Sequence, residues 1–189
     1  MNAKNKFPKD KGAPIRVGKA KAEQARWKKN PKNKDLPDTF PVSVEQLQLH
    51  IEKFDCNGIE FCNGSNQGGD YTPVMAAVDG EGNILAAFNN DGDISIDEFK
   101  SCRENWRAQH PDPDTTQFFY LGEEAITTNI TDFDVVRYEA AFVEESSGTN
   151  SAVLYGYSYD GMKDPGDEEP DTALNRSYLC PPFCGEDEN

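Results

Sequence analysis

Histidine, the residue most often recruited for proton transfer near neutral pH, is almost missing from this chain: His50 and His110 are the only two in 189 residues. Neither sits in a motif with a partner acid or nucleophile. The chain also has no nucleophile elbow, P-loop, dinucleotide fingerprint or His-Glu-x-x-His pair. Catalysis needs a positioned nucleophile, base or metal, so the expectation is a protein that is not an enzyme. Long apolar runs are missing as well. None approaches the roughly 20 residues of a bilayer span, and the basic start is not followed by the apolar segment of a secretory signal. No membrane span is expected, and the expected location is the cytoplasm or an assembly built there.

Cysteine is sparse and odd in number: Cys56, Cys62, Cys102, Cys180 and Cys184. Without a compact framework these read as reduced thiols rather than a disulfide scaffold. A zinc site drawn from Cys56, Cys62, Cys180 and Cys184 would need knuckle spacing, whereas the pairs are Cys-x5-Cys and Cys-x3-Cys. Three glycosylation patterns, at Asn63, Asn129 and Asn175, read as chance in a chain with no secretion signal.

Positive charge is scarce beyond residue 34. Residues 1–34 hold twelve of the 19 Lys and Arg against only Asp10 and Glu23, so with a chain total of -15 the arm carries about +10 and the rest about -25. Residues 1–13 have little to bury and are expected to be a disordered basic arm. Its Lys4, Lys6, Lys9 and Lys11 are candidate partner-binding residues, because opposite charge blocks attract over a screening length of roughly 8 Å. Nucleic acid is a possible partner for residues 1–34, but the arm offers only Phe7 and Trp27 for base stacking.

The remainder has enough apolar residues (36%, with 11% aromatic) to form a core. One stretch, Asn89 to Trp106, supports two incompatible readings. Gly92 at a turn, Ile94, and Glu98 closing the loop resemble an EF-hand calcium loop with Asn89, Asp91, Asp93 and Glu98 as metal ligands. In that register the first ligand position falls on Ala87, which offers no oxygen, and Asn83 to Phe88 reads as a strand rather than an entering helix. Alternatively Ser95 caps a helix and Glu98 completes a capping box, with Ile96, Phe99 and Trp106 on one face.

An internal comparison favours the helix start. A shift of 79 superposes Ile94 on Ile15, Ile96 on Val17 and Trp106 on Trp27, the only two tryptophans. The same shift aligns Leu47 with Ile126, Ile51 with Ile130, Phe54 with Phe133, Glu60 with Glu139, Val74 with Val153 and Met75 with Leu154. A constant offset through helical and strand-like segments predicts a tandem duplication. Within each copy the spacing predicts two helices, Lys19–Lys29 and one capped by Ser43 in the first, Ser95 to about Gln109 and Gly122–Phe133 in the second. Strands are predicted at Ile59–Phe61, Pro73–Val78, Asn83–Phe88, Phe133–Glu145 and Ser151–Tyr159. His50 reads as a surface or half-buried residue beside an apolar helix face. The glycine-rich loop Asn63–Asp70 is followed by neither Gly-Lys-Ser/Thr nor a helix, so it reads as a hairpin loop rather than a phosphate cradle. Tyr155, Tyr157 and Tyr159 alternate onto one strand face, either covering the sheet or offering a contact surface. Residues 163–172 read as a loop.

The helix with Glu-Asn-Trp-Arg, the strand pair ending in Asp-Gly and the tail Cys180-Pro181-Pro182-Phe183-Cys184 resemble small uncharacterised proteins of the Bacteroidota, which look like single copies of this unit. The resemblance covers mainly residues 94–185 and implies no activity. The reading is therefore an α+β fold of two tandem related units, each with two helices on a small antiparallel sheet: a basic arm at 1–13, units at 14–90 and 91–179, and a Cys-Pro tail at 180–189. The expected role is a non-catalytic structural or interaction protein, a component of a larger assembly, contacting protein partners or further copies of itself through the arm and exposed strands. Calcium binding at 89–98 is the alternative.

Overall fold

The computed structural model describes residues 7–111, 118–145, 150–158, 169–175 and 178–180. In chain order the elements are β1 (Ala13–Pro14), α1 (Val17–Lys29), a 3-10 turn (Pro31–Asn33), β2 (Thr39–Val42), α2 (Val44–Phe54), β3 (Gly58–Cys62), β4 (Val74–Val78), β5 (Ile84–Asn89), β6 (Gly92–Ile94), α3 (Ile96–Gln109), β7 (Phe118–Gly122), α4 (Glu123–Phe133), β8 (Val135–Glu144), β9 (Asn150–Ser158), β10 (Thr172–Asn175) and β11 (Tyr178–Cys180). The fold is α+β, with a five-stranded sheet in the order β1-β10-β9-β8-β2 and a six-stranded sheet in the order β11-β7-β3-β4-β5-β6. Every described pairing is antiparallel.

Local chemistry accounts for the helices. Ser43 Oγ accepts from Gln46 N at 3.2 Å to start α2, and Ser95 Oγ accepts from Glu98 N at 3.0 Å to start α3, each satisfying an amide that the helix leaves without a partner. Residues Val44, Leu47 and Ile51 give α2 a buried stripe, and Ile126 and Ile130 do the same for α4. Both helices end on an aspartate in the left-handed region, Asp55 at φ 42° and Asp134 at φ 48°.

A central core lies between the sheets. Phe61 of β3 and Phe119 of β7 stack at 4.7 Å, Phe119 meets Phe142 of β8 edge-on at 6.4 Å, and Phe40 of β2 packs on Phe142 at 6.4 Å. Leu47, Ile51, Ile126 and Ile130 join the same cluster from α2 and α4. The opposite face of the six-stranded sheet is covered by α3 through Phe99 and Cys102, and that of the five-stranded sheet by α1 through Ala20. Because both faces are covered, β3, β4 and β7 are buried along their whole length, which explains why β4 reads Val-Met-Ala-Ala-Val without alternation. Tyr155 and Tyr157 are buried under α1 and form part of the molecule's interior; Tyr159 lies outside the described residues.

The strands do not divide between residues 14–90 and 91–179. β2 pairs with β8 (Thr39↔Ala141), β3 pairs with β7 (Phe61↔Phe119), and α1 with Trp27 lies against β8. Residues 44–122 supply β3 to β7 as one continuous stretch, whereas β8 to β10 are flanked by β1 and β2 from the opposite end of the chain. The expectation that each half would close its own sheet is corrected accordingly. A sequence offset identifies equivalent segments, but strand partners are chosen by the core that both sheets share. Some element bounds are spaced at the same offset: α2 and α4, at 44–54 and 123–133, stand 79 residues apart, as do the starts of α1 and α3 and of β2 and β7. β7 lies beside β3 as β2 lies beside β8, and β6 beside β5 as β1 beside β10.

The arm is also corrected where it is described. Residues 7–13 dock on the body: Phe7 is buried, Phe7 N donates to Gly80 O at 3.1 Å, Tyr120 Oη to Pro8 O at 3.1 Å, Glu124 N to Lys9 O at 3.0 Å and Gly122 N to Lys11 O at 2.6 Å. One buried aromatic ring and a set of hydrogen bonds to its backbone anchor a segment that its polar composition described as free. The short strands β1, β2, β6, β7, β10 and β11 were not expected; four or fewer apolar residues, or a turn-rich composition, hide such strands from periodicity.

Candidate functional site

The four candidate calcium ligands fall on a two-residue hairpin and the helix after it. β5 and β6 are joined by Asn90-Asp91, with Asn89 opposite Gly92, and Gly92 takes φ 136°, which suits glycine. Asn89 Oδ1 accepts from the backbone N of Asp91 (2.8 Å) and Gly92 (3.2 Å). Asp93 faces α2, its Oδ1 2.9 Å from His50 Nε2 and its Oδ2 3.7 Å from Lys53 Nζ. Glu98 lies in the first turn of α3, where its amide is capped by Ser95. No group of three or more His, Cys, Asp or Glu side chains among the described residues is placed to hold a metal ion. Asn89 makes a turn and Ser95 a cap here, and Ser95→Ala is expected to lower stability by about 1 kcal/mol, with calcium expected to leave the melting temperature unchanged. Tight stoichiometric binding in a calorimetric titration would show the loop to be a metal site.

His50 is fully buried rather than superficial. Its Nδ1 lies 2.8 Å from Gln46 O and its ring stacks on Phe88 at 3.9 Å. The Asp93 carboxylate sits beside Nε2 without hydrogen-bond alignment. Asn90 secures the hairpin to the start of α2, accepting from Ser43 N at 2.9 Å and donating to Pro41 O at 2.8 Å. No sequence motif signals either contact, since both join residues more than forty positions apart.

Between α2 and α4 lies a cleft of about 440 Å³, lined by Ile51 and Ile130 with Lys9, Asp55, Cys56 and Glu123 around them. Lys9 is brought here by the docked arm, and its Nζ donates to Asp55 Oδ1 at 3.1 Å; that hydrogen bond holds the Lys9 ammonium above the ordinary lysine range. The candidate partner-binding Lys11 anchors the same strap through its carbonyl, and Lys4 and Lys6 lie outside the described residues. The left-handed aspartate at the end of α2 was missed in the sequence, although the offset that aligns Phe54 with Phe133 aligns Asp55 with Asp134.

Burial pushes the Cys56 thiol up to about 11, so near neutrality it is protonated and a poor nucleophile. Thr127 Oγ1 donates to Glu123 Oε1 at 3.3 Å and Thr131 Oγ1 to Thr127 O at 3.0 Å, which occupies both hydroxyls within α4. Burial likewise raises the thiols of Cys62 and Cys102. All three cysteines are buried and free; Cys184 and the side chain of Cys180 lie outside the described residues. Iodoacetamide at mildly alkaline pH is expected to spare Cys56, Cys62 and Cys102 in the folded protein and to label them in urea, as mass spectrometry of peptides would record. Rapid labelling of Cys56 in the folded state would contradict its protonated, covered environment.

The asparagines of the three glycosylation patterns are all buried. Asn129 accepts from Tyr138 Oη and donates to Thr172 Oγ1, both at 2.8 Å, and Asn175 accepts from Ser151 Oγ at 2.9 Å. These side chains serve the interior. No helix among the described residues is long and apolar enough to cross a membrane.

No protein-family model, curated protein or solved structure matches the chain.

Proposed function

We propose that this chain is a non-catalytic structural or interaction protein, a component of a larger assembly, built by tandem duplication of one α+β module. The observation that supports this best is the 79-residue correspondence of element bounds and sheet positions, in which the same helices and strands recur around a shared core. A duplicated scaffold of this kind offers two related surfaces to partners, and its cleft holds a protonated thiol and helix-bound hydroxyls rather than an activated nucleophile. The likeness of the tail to small Bacteroidota proteins belongs to the same reading, as does a cytoplasmic place of assembly.

The basic surface remains the favoured contact. Lys19, Arg26, Lys28 and Lys29 of α1 are exposed, and against a body of about -25 they are the region most complementary to another acidic surface. Affinity purification from the native cell is expected to recover a stable protein partner or further copies of the chain. Raised salt is expected to weaken that association, since exposed charge pairs are screened. A protein that stays monomeric by light scattering at low salt and captures nothing reproducibly would sink the reading.

A further inference from the structure

The geometry points to residues 7–42 as an exchangeable closing segment, through which one copy of this chain completes the five-stranded sheet of a second copy. This deepens the self-association proposed above and rests on that reading. The chain alternates between two kinds of piece. Residues 44–89 and 123–175 each contribute a helix and three neighbouring strands, α2 with β3-β4-β5 and α4 with β8-β9-β10. Residues 92–122 and 13–42 each contribute a strand, a helix and a strand, which flank one of those three-stranded groups and cover its outer face.

The two groups obtain their closing segments differently. β3-β4-β5 takes the segment that follows it, joined by the tight turn Asn90-Asp91. β8-β9-β10 takes the segment that begins the chain: β1 pairs with β10 (Ala13↔Asn175) and β2 with β8 (Thr39↔Ala141), while Ile15, Val17 and Ala20 pack on Ala141, Val143, Val153 and Ala173. All of these partners are more than a hundred positions away in sequence. The only covalent link from the closing segment to the rest is Ser43, between β2 and α2. No pairing therefore depends on the segment belonging to the same chain, and a second copy can supply the same hydrogen bonds and buried faces.

Closure within one chain has the advantage of high effective concentration and prevails when the protein is dilute. Exchange prevails when copies are concentrated. Reciprocal exchange closes to a two-fold dimer, and one-way exchange runs head to tail into rings or filaments. Asn90 acts as the clamp on this choice, because its side chain holds both Ser43 N and Pro41 O at the hinge.

The test uses the full chain. One batch carries Pro41→Cys and another Glu139→Cys, two positions that face each other across β2 and β8 at a spacing disulfides accept. The batches are unfolded in urea, mixed, refolded at high and at low protein concentration, and oxidised. The expected result is a disulfide-linked pair of chains, mapped by mass spectrometry to positions 41 and 139, whose fraction rises with concentration and rises further with Asn90→Ala. A single chain carrying both cysteines should link within itself when dilute. In parallel, wild-type protein refolded at high concentration should show dimers or larger species by light scattering. Exchange is overturned if refolded wild type remains monomeric at every concentration and no linkage between chains forms at 41 and 139. Capture of some other partner from native cells alongside that result would leave the interaction reading standing and remove only the exchange.

Discussion

Replacing Trp27 by alanine is expected to destabilise the fold by about 3–5 kcal/mol, the range for truncating a buried aromatic side chain. Trp27 is only 3% exposed, and its ring stacks on Phe142 of β8 at 5.6 Å, so it ties α1 to a strand more than a hundred residues away. Its carbonyl also accepts from the buried Asn33 Nδ2 at 3.1 Å, which fixes the turn after the helix. Truncation empties a site in the central core and loosens the segment that closes the five-stranded sheet. Trp106, the residue 79 positions on, is 2% exposed and packs against Tyr71 at 5.4 Å and His110 at 3.9 Å. Trp106→Ala should fall in the same range, but Trp106→Phe should cost less than that, because its indole N–H is buried without a partner and loses no hydrogen bond. Urea unfolding of the three variants checks this; near-wild-type midpoints for both alanine variants would show that the tryptophans are not core anchors.

Gly122→Ala should be the most disruptive of the small changes. The backbone of residues 9–11 passes directly over Gly122, so a Cβ there would overlap the Lys9 carbonyl and come within 2.6 Å of Lys11 N. These are main-chain atoms held by the bonds from Gly122 N to Lys11 O and from Glu124 N to Lys9 O, and they cannot rotate aside as a side chain would. Overpacking costs about 1–3 kcal/mol. Lifting the strap would also draw Phe7 from its seat against Tyr120, where the rings meet edge-on at 4.9 Å, and exposing a buried Phe costs about 1.5–3 kcal/mol more. Gly18→Ala provides the contrast, since nothing lies within 4 Å of a Cβ there and alanine favours the helix by about 1 kcal/mol. The expected pattern is a lower midpoint for Gly122→Ala, new tryptic cleavage at Lys9 and Lys11, and no loss for Gly18→Ala. Equal protection of Lys9 and Lys11 in both variants would mean that the strap is not held as described.

Much of the local structure was legible because it is driven by local chemistry. The caps at Ser43 and Ser95 and the apolar stripe of α2 depend on residues within a few positions of one another. The hairpin at Asn90-Asp91 was half legible: Asn, Asp and Gly announced a turn and also resembled a metal loop, while the approach of Asp93 to His50 depends on the fold. The docking of residues 7–13 was hidden because Phe7 is a single ring in a polar stretch. Its site is assembled from the turn at Gly80 and from Tyr120, far away in sequence.

By itself the sequence determined that the chain holds both helices and strands, that its charge is divided between a basic start and an acidic remainder, and where two of its helices are capped. Only the tertiary structure decided which strands pair, that His50 is interior, and that the start of the chain closes a sheet formed near its end. The physical reason is the range of the forces concerned. Propensity, capping and periodicity act over a few residues, whereas β2 finds β8, and Phe7 finds Tyr120, through burial of apolar surface, which is indifferent to separation along the chain.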